Sequence, residues 1–396
     1  MLPALFYACG IAVVNGFGRF AYALLLPVMR QDLAWDYAAS GWLNTANGFG
    51  YGLGALLGWL LLAKGRAQAA NLFVAGLAGT VLTLLFCAFT RDLSWMLMWR
   101  FASGVGSAWV FACGGALVAE RYASDPARAG SAIAVFYAGG GLGIAASSLL
   151  VFPVLAGSWA WPAGWLALGL AGLLLAIAPG WLAAAGSSVK IDQNIVKIAS
   201  YSVASSAGFK RTFVPIALAY FLFGVGYIVY LTFVIAWLRE MRLGVGSAAA
   251  LWFLLGLAVM ASGYLWRGVM ARWWPPHTFA AATLCTATGT VLPMLSPSMP
   301  MLLLSVCLVG SSFFMAPGAM MALARVTLPQ AQWAKAMSLF TFVFAVGQGI
   351  GPVAAGWVAD VWSLNHAMLA GAATLLLSAV LALLQPRSSP VQALSK

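Results

Sequence analysis

Long apolar runs alternate with short polar breaks along the whole chain, and each run is long enough to cross the roughly 30 Å hydrocarbon core of a bilayer as a helix. In the first half the breaks fall at 30–36, 64–68, 91–92, 120–128, 153–162 and 186–212. In the second they fall at 239–242, 267–277, 296–300, 325–335 and 360–366, and the last run ends before Pro386. This pattern predicts an all-α membrane protein of twelve transmembrane helices, with no room for a sizeable domain outside the bilayer. The longest polar stretch, 186–212, carries Lys190, Lys197, Lys210 and Arg211 against Asp192. It is expected to be a cytoplasmic linker, with room for a helix on the membrane surface, between a six-helix bundle over 1–185 and a second over 213–396. The first run continues from Pro3 to Met29 with no basic segment ahead of it, which favours a true first span over a cleaved leader.

Composition narrows the function. Hydrophobic residues make up 63% and charged residues 7% of the 396 positions, with a mean hydropathy of +0.95, whereas water-soluble domains are about a quarter charged. Eight acidic residues, two distant histidines (His277 and His366) and five cysteines without CxxC spacing offer nothing from which to build a metal or nucleophilic centre. An enzyme, a bound metal and a cofactor are therefore not expected. The net charge of +12 would suggest nucleic acid in a soluble protein, but here its placement decides. With the N-terminus inside, fourteen of the twenty Lys and Arg residues fall on the cytoplasmic side, among them Lys64, Arg66, Arg325 and Lys335, and only Arg30, Arg91, Arg239 and Arg242 on the other. The basic charge thus reads as topology with both termini cytoplasmic, not as a nucleic-acid surface.

The two halves repeat one another. Val135-Phe136-x-x-Gly139-x-Gly141-x-Gly143 recurs 208 residues on as Val343-Phe344-x-x-Gly347-x-Gly349-x-Gly351. The same shift lays Gly16, Gly18 and Tyr22 on Gly224, Gly226 and Tyr230, and Gly48 on Gly256. Parallel halves of this kind place a binding site between them near the membrane midplane.

Twelve spans in this arrangement resemble the major facilitator superfamily. Leu97-x-x-Arg100-x-x-x-Gly104-x-Gly106 is similar to its motif B, and Gly347-x-x-x-Gly351-Pro352-x-x-x-Gly356 to its glycine-proline pattern. Gly16-Phe17-Gly18-Arg19-Phe20-Ala21-Tyr22, with Gly41-Trp42-Leu43-x-Thr45-Ala46-Asn47, resembles the bacterial YbfB/YjiJ-type branch. The resemblance implies the major facilitator fold and transport across a bacterial inner membrane by alternating access. It also implies coupling or gating roles for Arg100, Gly351 and Pro352. The loop after the second span departs from the superfamily pattern, with Leu62 where an aspartate belongs.

Arg19 is the most informative residue. It lies about 16 residues into the first span, near the midplane at 1.5 Å per residue, where an ionisable group is costly unless it meets a partner or a wet site. Every acidic residue falls towards one membrane surface or the other. Arg19 therefore reads as the dock for an anionic substrate; the alternative is an arginine satisfied by backbone carbonyls and water. Helical spacing predicts a stripe of Asn15, Arg19 and Tyr22, a second of Asn44, Asn47 and Tyr51, a third of Tyr220, Tyr227 and Tyr230, and a pair at Thr341 and Gln348. Asn15, Arg19, Tyr22, Asn47, Tyr227, Tyr230 and Gln348 are the expected substrate contacts, with Arg19 facing Tyr227. Polar groups of this kind also serve as bonds between helices. Arg100, about six residues inside its span, is close enough to an interface to snorkel. The expected partners are a small organic anion or anionic amphiphile as substrate and membrane lipids, and the chain is expected to act as a monomer. Efflux of lipophilic compounds, or lipid flipping through a lateral groove, remain alternatives.

Overall fold

The structure, a computed structural model, describes residues 1–157, 159–185 and 213–387. The expected linker at 186–212 lies outside the described residues, as does Lys396. Among the described residues twelve long helical runs follow one another with no strand between them. In the first half these are α1 (Leu2–Asp32), α2 (Tyr37–Ala63), α3 (Ala69–Ala88), α4 (Leu93–Arg121), α5 (Pro126–Ala156) and α6 (Trp161–Ala185). The second half holds α7 (Val214–Glu240), α8 (Val245–Leu265), α9 (Pro275–Leu295), α10 (Met299–Thr327), α11 (Gln330–Val361) and α12 (Leu364–Leu383). Over the described residues eleven are apolar enough to cross a membrane on length and composition alone, and α2 lies at the margin. At 27 residues α2 is long enough, but Asn44, Thr45, Asn47 and its glycines dilute its hydropathy. Those polar residues are buried by neighbouring helices, so lipid does not meet them.

The scarce acidic residues fasten helix ends. Asp36, Asp92 and Asp125 cap α2, α4 and α5, accepting from the N–H of Ala39, Trp95 and Arg128 at 2.6, 3.0 and 3.1 Å. Asp32, at the end of α1, accepts from the Trp161 indole at 2.8 Å and pairs with Arg91 at 3.3 Å. Within the first half α3 packs on α4 and α6, and within the second α7 and α9 pack on α12.

Between the halves, α2 lies on α11 and α5 on α8. A Cβ on Gly48 would come within 3.1 Å of the Gly349 Cα, and one on Gly256 within 2.7 Å of the Gly141 oxygen. These two contacts are images of each other under the 208-residue shift, since Gly48 maps on Gly256 and Gly141 on Gly349. The repeat thus recurs as a symmetric seam, where missing side chains let backbones touch.

Two helices depart from regular geometry close to that seam. Residues Ala12–Phe20 of α1 are π-helical, and Ala21 N bonds back five residues to the Gly16 oxygen at 2.8 Å. Helix α10 breaks between Ser312 and Met315, ahead of Pro317, which has no N–H to offer the preceding turn. The irregular segments meet through Phe20 and Phe313, whose rings lie edge to face at 6.1 Å. Irregular backbone at this depth is tolerated only where protein buries it or a cavity is lined by it.

Candidate functional site

The seam brings Arg19 and Tyr227 together through one atom. Arg19 Nη2 and Tyr227 Oη both donate to Gln348 Oε1, the tyrosine at 2.9 Å. Three helices thus converge: α1 from the first half, α7 and α11 from the second. The Arg19 guanidinium also lies over the Tyr51 ring, 5.0 Å from its centroid, and 5.7 Å from that of Phe20. Arg19 is 7% exposed, and Gln348 is fully buried. The ion pairs among the described residues are Arg91 with Asp32 and Arg128 with Asp125, so Arg19 has no ionic partner there. In this cluster Gln348 Nε2 is buried with no hydrogen-bond partner among the described residues; Asn15 Oδ1, four residues before Arg19 on α1, is likewise buried and unpartnered there.

Aromatic rings wall the cluster on the second half. Phe223 stacks on Tyr227 at 5.1 Å, Tyr220 on Phe344 at 4.9 Å, and Tyr227 on Phe344 and Phe313 at 5.5 and 5.8 Å. Helical spacing in the sequence marks the tyrosines but not the phenylalanines, because a phenylalanine in an apolar run carries nothing that separates it from core.

Several expected contacts lie elsewhere. Tyr22 does not share the Arg19 face: its hydroxyl donates to the Ser40 oxygen at 2.9 Å, and its ring stacks on Trp165. The cause is the π-helical stretch, whose wider turns shift everything after it off the 3.6-residue register. Tyr230 reaches the Ser305 hydroxyl on α10 at 2.9 Å, inside the second half. Asn47 donates to the Arg100 oxygen at 3.1 Å and ties α2 to α4. Gly351 serves the close approach of α11 to α7, where its Cβ would meet the Val225 oxygen at 2.5 Å, and the Pro352 carbonyl lies against Gly41 of α2.

Arg100 does not snorkel. It is 1% exposed and donates to the oxygens of Gly18 and Arg19, the latter at 3.2 Å, and to Asn44 Oδ1 at 3.0 Å. Tyr22 and Trp165 present their rings at 5.4 and 5.7 Å. Gly18 and Arg19 sit where the π-helical segment gives way to α-helix, and Arg100 supplies donors for the carbonyls exposed there. Arg100, not Arg19, is thus the arginine held by backbone carbonyls, though its Nε is buried with no partner among the described residues.

On one side of this cluster the halves are fastened. Asp360, at the end of α11, accepts from the N–H groups of Tyr37 and Ala38 at 2.8 Å each, placing a second carboxylate on the N-terminus that Asp36 already caps. Tyr37 also donates to Glu240, and its ring lies 3.8 Å from the Arg30 guanidinium. Nearer the cluster, Asn44 donates to Thr232 Oγ1 at 2.8 Å. A carboxylate at a helix N-terminus gains from both the free N–H groups and the dipole. Asp360→Asn should therefore weaken this seam by about 1 to 2 kcal/mol. With native cysteines replaced, Ser40→Cys should then be alkylated several-fold faster; unchanged labelling would show that the carboxylate does not hold the seam.

The comparisons with known proteins agree with this architecture. Residues 11–383 match the family model described as "Uncharacterised MFS-type transporter YbfB". An uncharacterized MFS-type transporter of Bacillus subtilis (strain 168), YceJ, is 26% identical over 253 residues, which cover 63% of this chain and 62% of that protein. The chain thus spans a little under two thirds of that relative's length. A bacterial homologue of the human lysosomal transporter Spinster, in an inward-facing and occupied conformation, superposes with a TM-score of 0.71 at 16% identity over 96% of both chains. The nucleoside transporter NupG superposes with a TM-score of 0.71 at 12% identity over 97% of this chain and 100% of that one. These likenesses show the fold. With the family match running over nearly the whole chain, this multi-pass membrane protein belongs to the YbfB-type transporters of the major facilitator superfamily.

Proposed function

We propose that the chain is a secondary active transporter that moves a small organic anion across the bacterial inner membrane by alternating access of its two six-helix halves. The observation that carries this reading is the Arg19 guanidinium, buried at the seam with a neutral amide oxygen as partner instead of a carboxylate. A carboxylate or phosphate oxygen adds a full negative charge and a bidentate fit that the neutral amide oxygen lacks, so an entering anion displaces Gln348 Oε1. The freed Gln348 amide then offers Nε2 to the same ligand, satisfying a donor that is now unpartnered. Because Arg19 belongs to the first half and Gln348 to the second, a ligand held by both joins the halves around itself, as alternating access requires.

The fastened side, with Tyr37, Glu240 and Asp360, is the outer one under the charge-derived topology, so the chain is closed to the outside. Cysteine labelling should reach positions 64 and 325 from the cytoplasm and 36 and 242 from outside; reversed labelling of both halves would invert this reading. Exchange of a bound anion across proteoliposomes tests transport itself, and a protein that binds the anion without exchanging it would contradict the proposal. Tyr227→Phe should weaken binding by about 1 kcal/mol, roughly fivefold, since it removes one neutral hydrogen bond.

A second reading, efflux of lipophilic compounds, is favoured by the ring wall of Phe223, Tyr227, Phe313 and Phe344. It gives Arg19 no task. Lipid flipping would want Arg19 on a groove open to the side, whereas Arg19 is enclosed by Gln348, Tyr51 and Phe20.

A further inference from the structure

A groove of about 550 Å³ lies outside the seam helices, where α9 begins and α12 ends, lined by Arg272, Trp274, His277 and Arg387 with Leu284 and Leu383. Every ionisable side chain on its wall is basic, and neither arginine has a carboxylate partner among the described residues. The Trp274 indole N–H is buried with no acceptor among the described residues. Leu284 and Leu383 are exposed, as a surface bathed in acyl chains would be. Interfacial tryptophans belong at headgroup depth, and both breaks that form the groove lie on the membrane side rich in Lys and Arg.

We propose that this groove holds the headgroup of one anionic glycerophospholipid of the cytoplasmic leaflet. The phosphate would sit between Arg272 and Arg387 and accept from the Trp274 N–H, and the acyl chains would run over Leu284 and Leu383. Charge complementarity selects the occupant: two guanidinium groups without carboxylate partners among the described residues ask for an anion, and the apolar floor continues towards the hydrocarbon, which a free phosphate cannot use. A zwitterionic lipid brings its own ammonium into a wall that is already cationic.

The test uses the full-length protein in phosphatidylcholine nanodiscs with added phosphatidylglycerol, counting retained lipids by native mass spectrometry. The wild type should keep one phosphatidylglycerol under conditions that strip the rest. The Arg272→Gln/Arg387→Gln pair should bind it about tenfold more weakly or worse, and Trp274→Phe, which keeps an aromatic ring and loses the N–H, several-fold more weakly. Arg267 lies on the same side but packs on Tyr264 at 4.3 Å, outside the groove, so Arg267→Gln should leave the retained lipid in place. An equal loss in Arg267→Gln would reduce the effect to general surface charge and overturn the proposal. Displacement of the lipid by millimolar inorganic phosphate would make the site one for free phosphate and would overturn it as well.

Discussion

Arg19→Ala is expected to lower affinity for the transported anion by roughly 30-fold or more while the protein still folds. A charge-assisted contact in a poorly hydrated site is worth about 2 to 4 kcal/mol, and alanine removes it whole. Folding should survive because Gln348 Oε1 keeps its bond from Tyr227, so no acceptor is orphaned when the guanidinium goes. Lysine at this position restores the charge but not the planar fork, and its recovery should be partial for a carboxylate or phosphate ligand. Isothermal titration in detergent gives the affinities, and size-exclusion profiles give the folding control. An Arg19→Ala protein that stays monodisperse and binds the anion as well as wild type would leave Arg19 as a bond between the halves.

Arg100→Leu should do the reverse. It strips donors from the oxygens of Gly18 and Arg19 and from Asn44 Oδ1, all inside the first half and closed to water. Each orphaned group costs about 1 to 3 kcal/mol, so losing the donor to three of them should cost about 3 kcal/mol or more, large against the margin of most folds. The protein should express poorly and unfold at markedly lower temperature. Arg100→Lys, which reaches fewer acceptors, should fall between. Wild-type stability in Arg100→Leu together with lost transport would contradict the structural role and return Arg100 to the coupling role its motif implies.

The contrast between the two arginines shows how far spacing reaches. Depth along a span puts Arg19 near the midplane, and the repeat sets α7 opposite α1, so the meeting of Arg19 with Tyr227 is legible from sequence. The same repeat carries Gly48, Gly141, Gly256 and Gly349 into one symmetric seam. The register within α1 is not legible. A 3.6-residue period across 12–20 keeps Tyr22 beside Arg19, whereas the π-helical turns carry Tyr22 round to Ser40 and Trp165. The burial of Arg100 follows from the same irregularity, because the carbonyls it binds are exposed by a break that the sequence does not announce. The grip of Asp360 on the first turn of α2 joins residues 323 positions apart, and no local pattern encodes it.

The most direct test of the account is a thermal-stability screen of carboxylate, phosphate, neutral and cationic metabolites on purified wild type and on Arg19→Ala, side by side. At least one organic anion should stabilise the wild type and fail to stabilise Arg19→Ala, while neutral and cationic compounds should separate the two proteins little. Stabilisation by neutral or cationic lipophilic compounds alone, equal in both proteins, would contradict it.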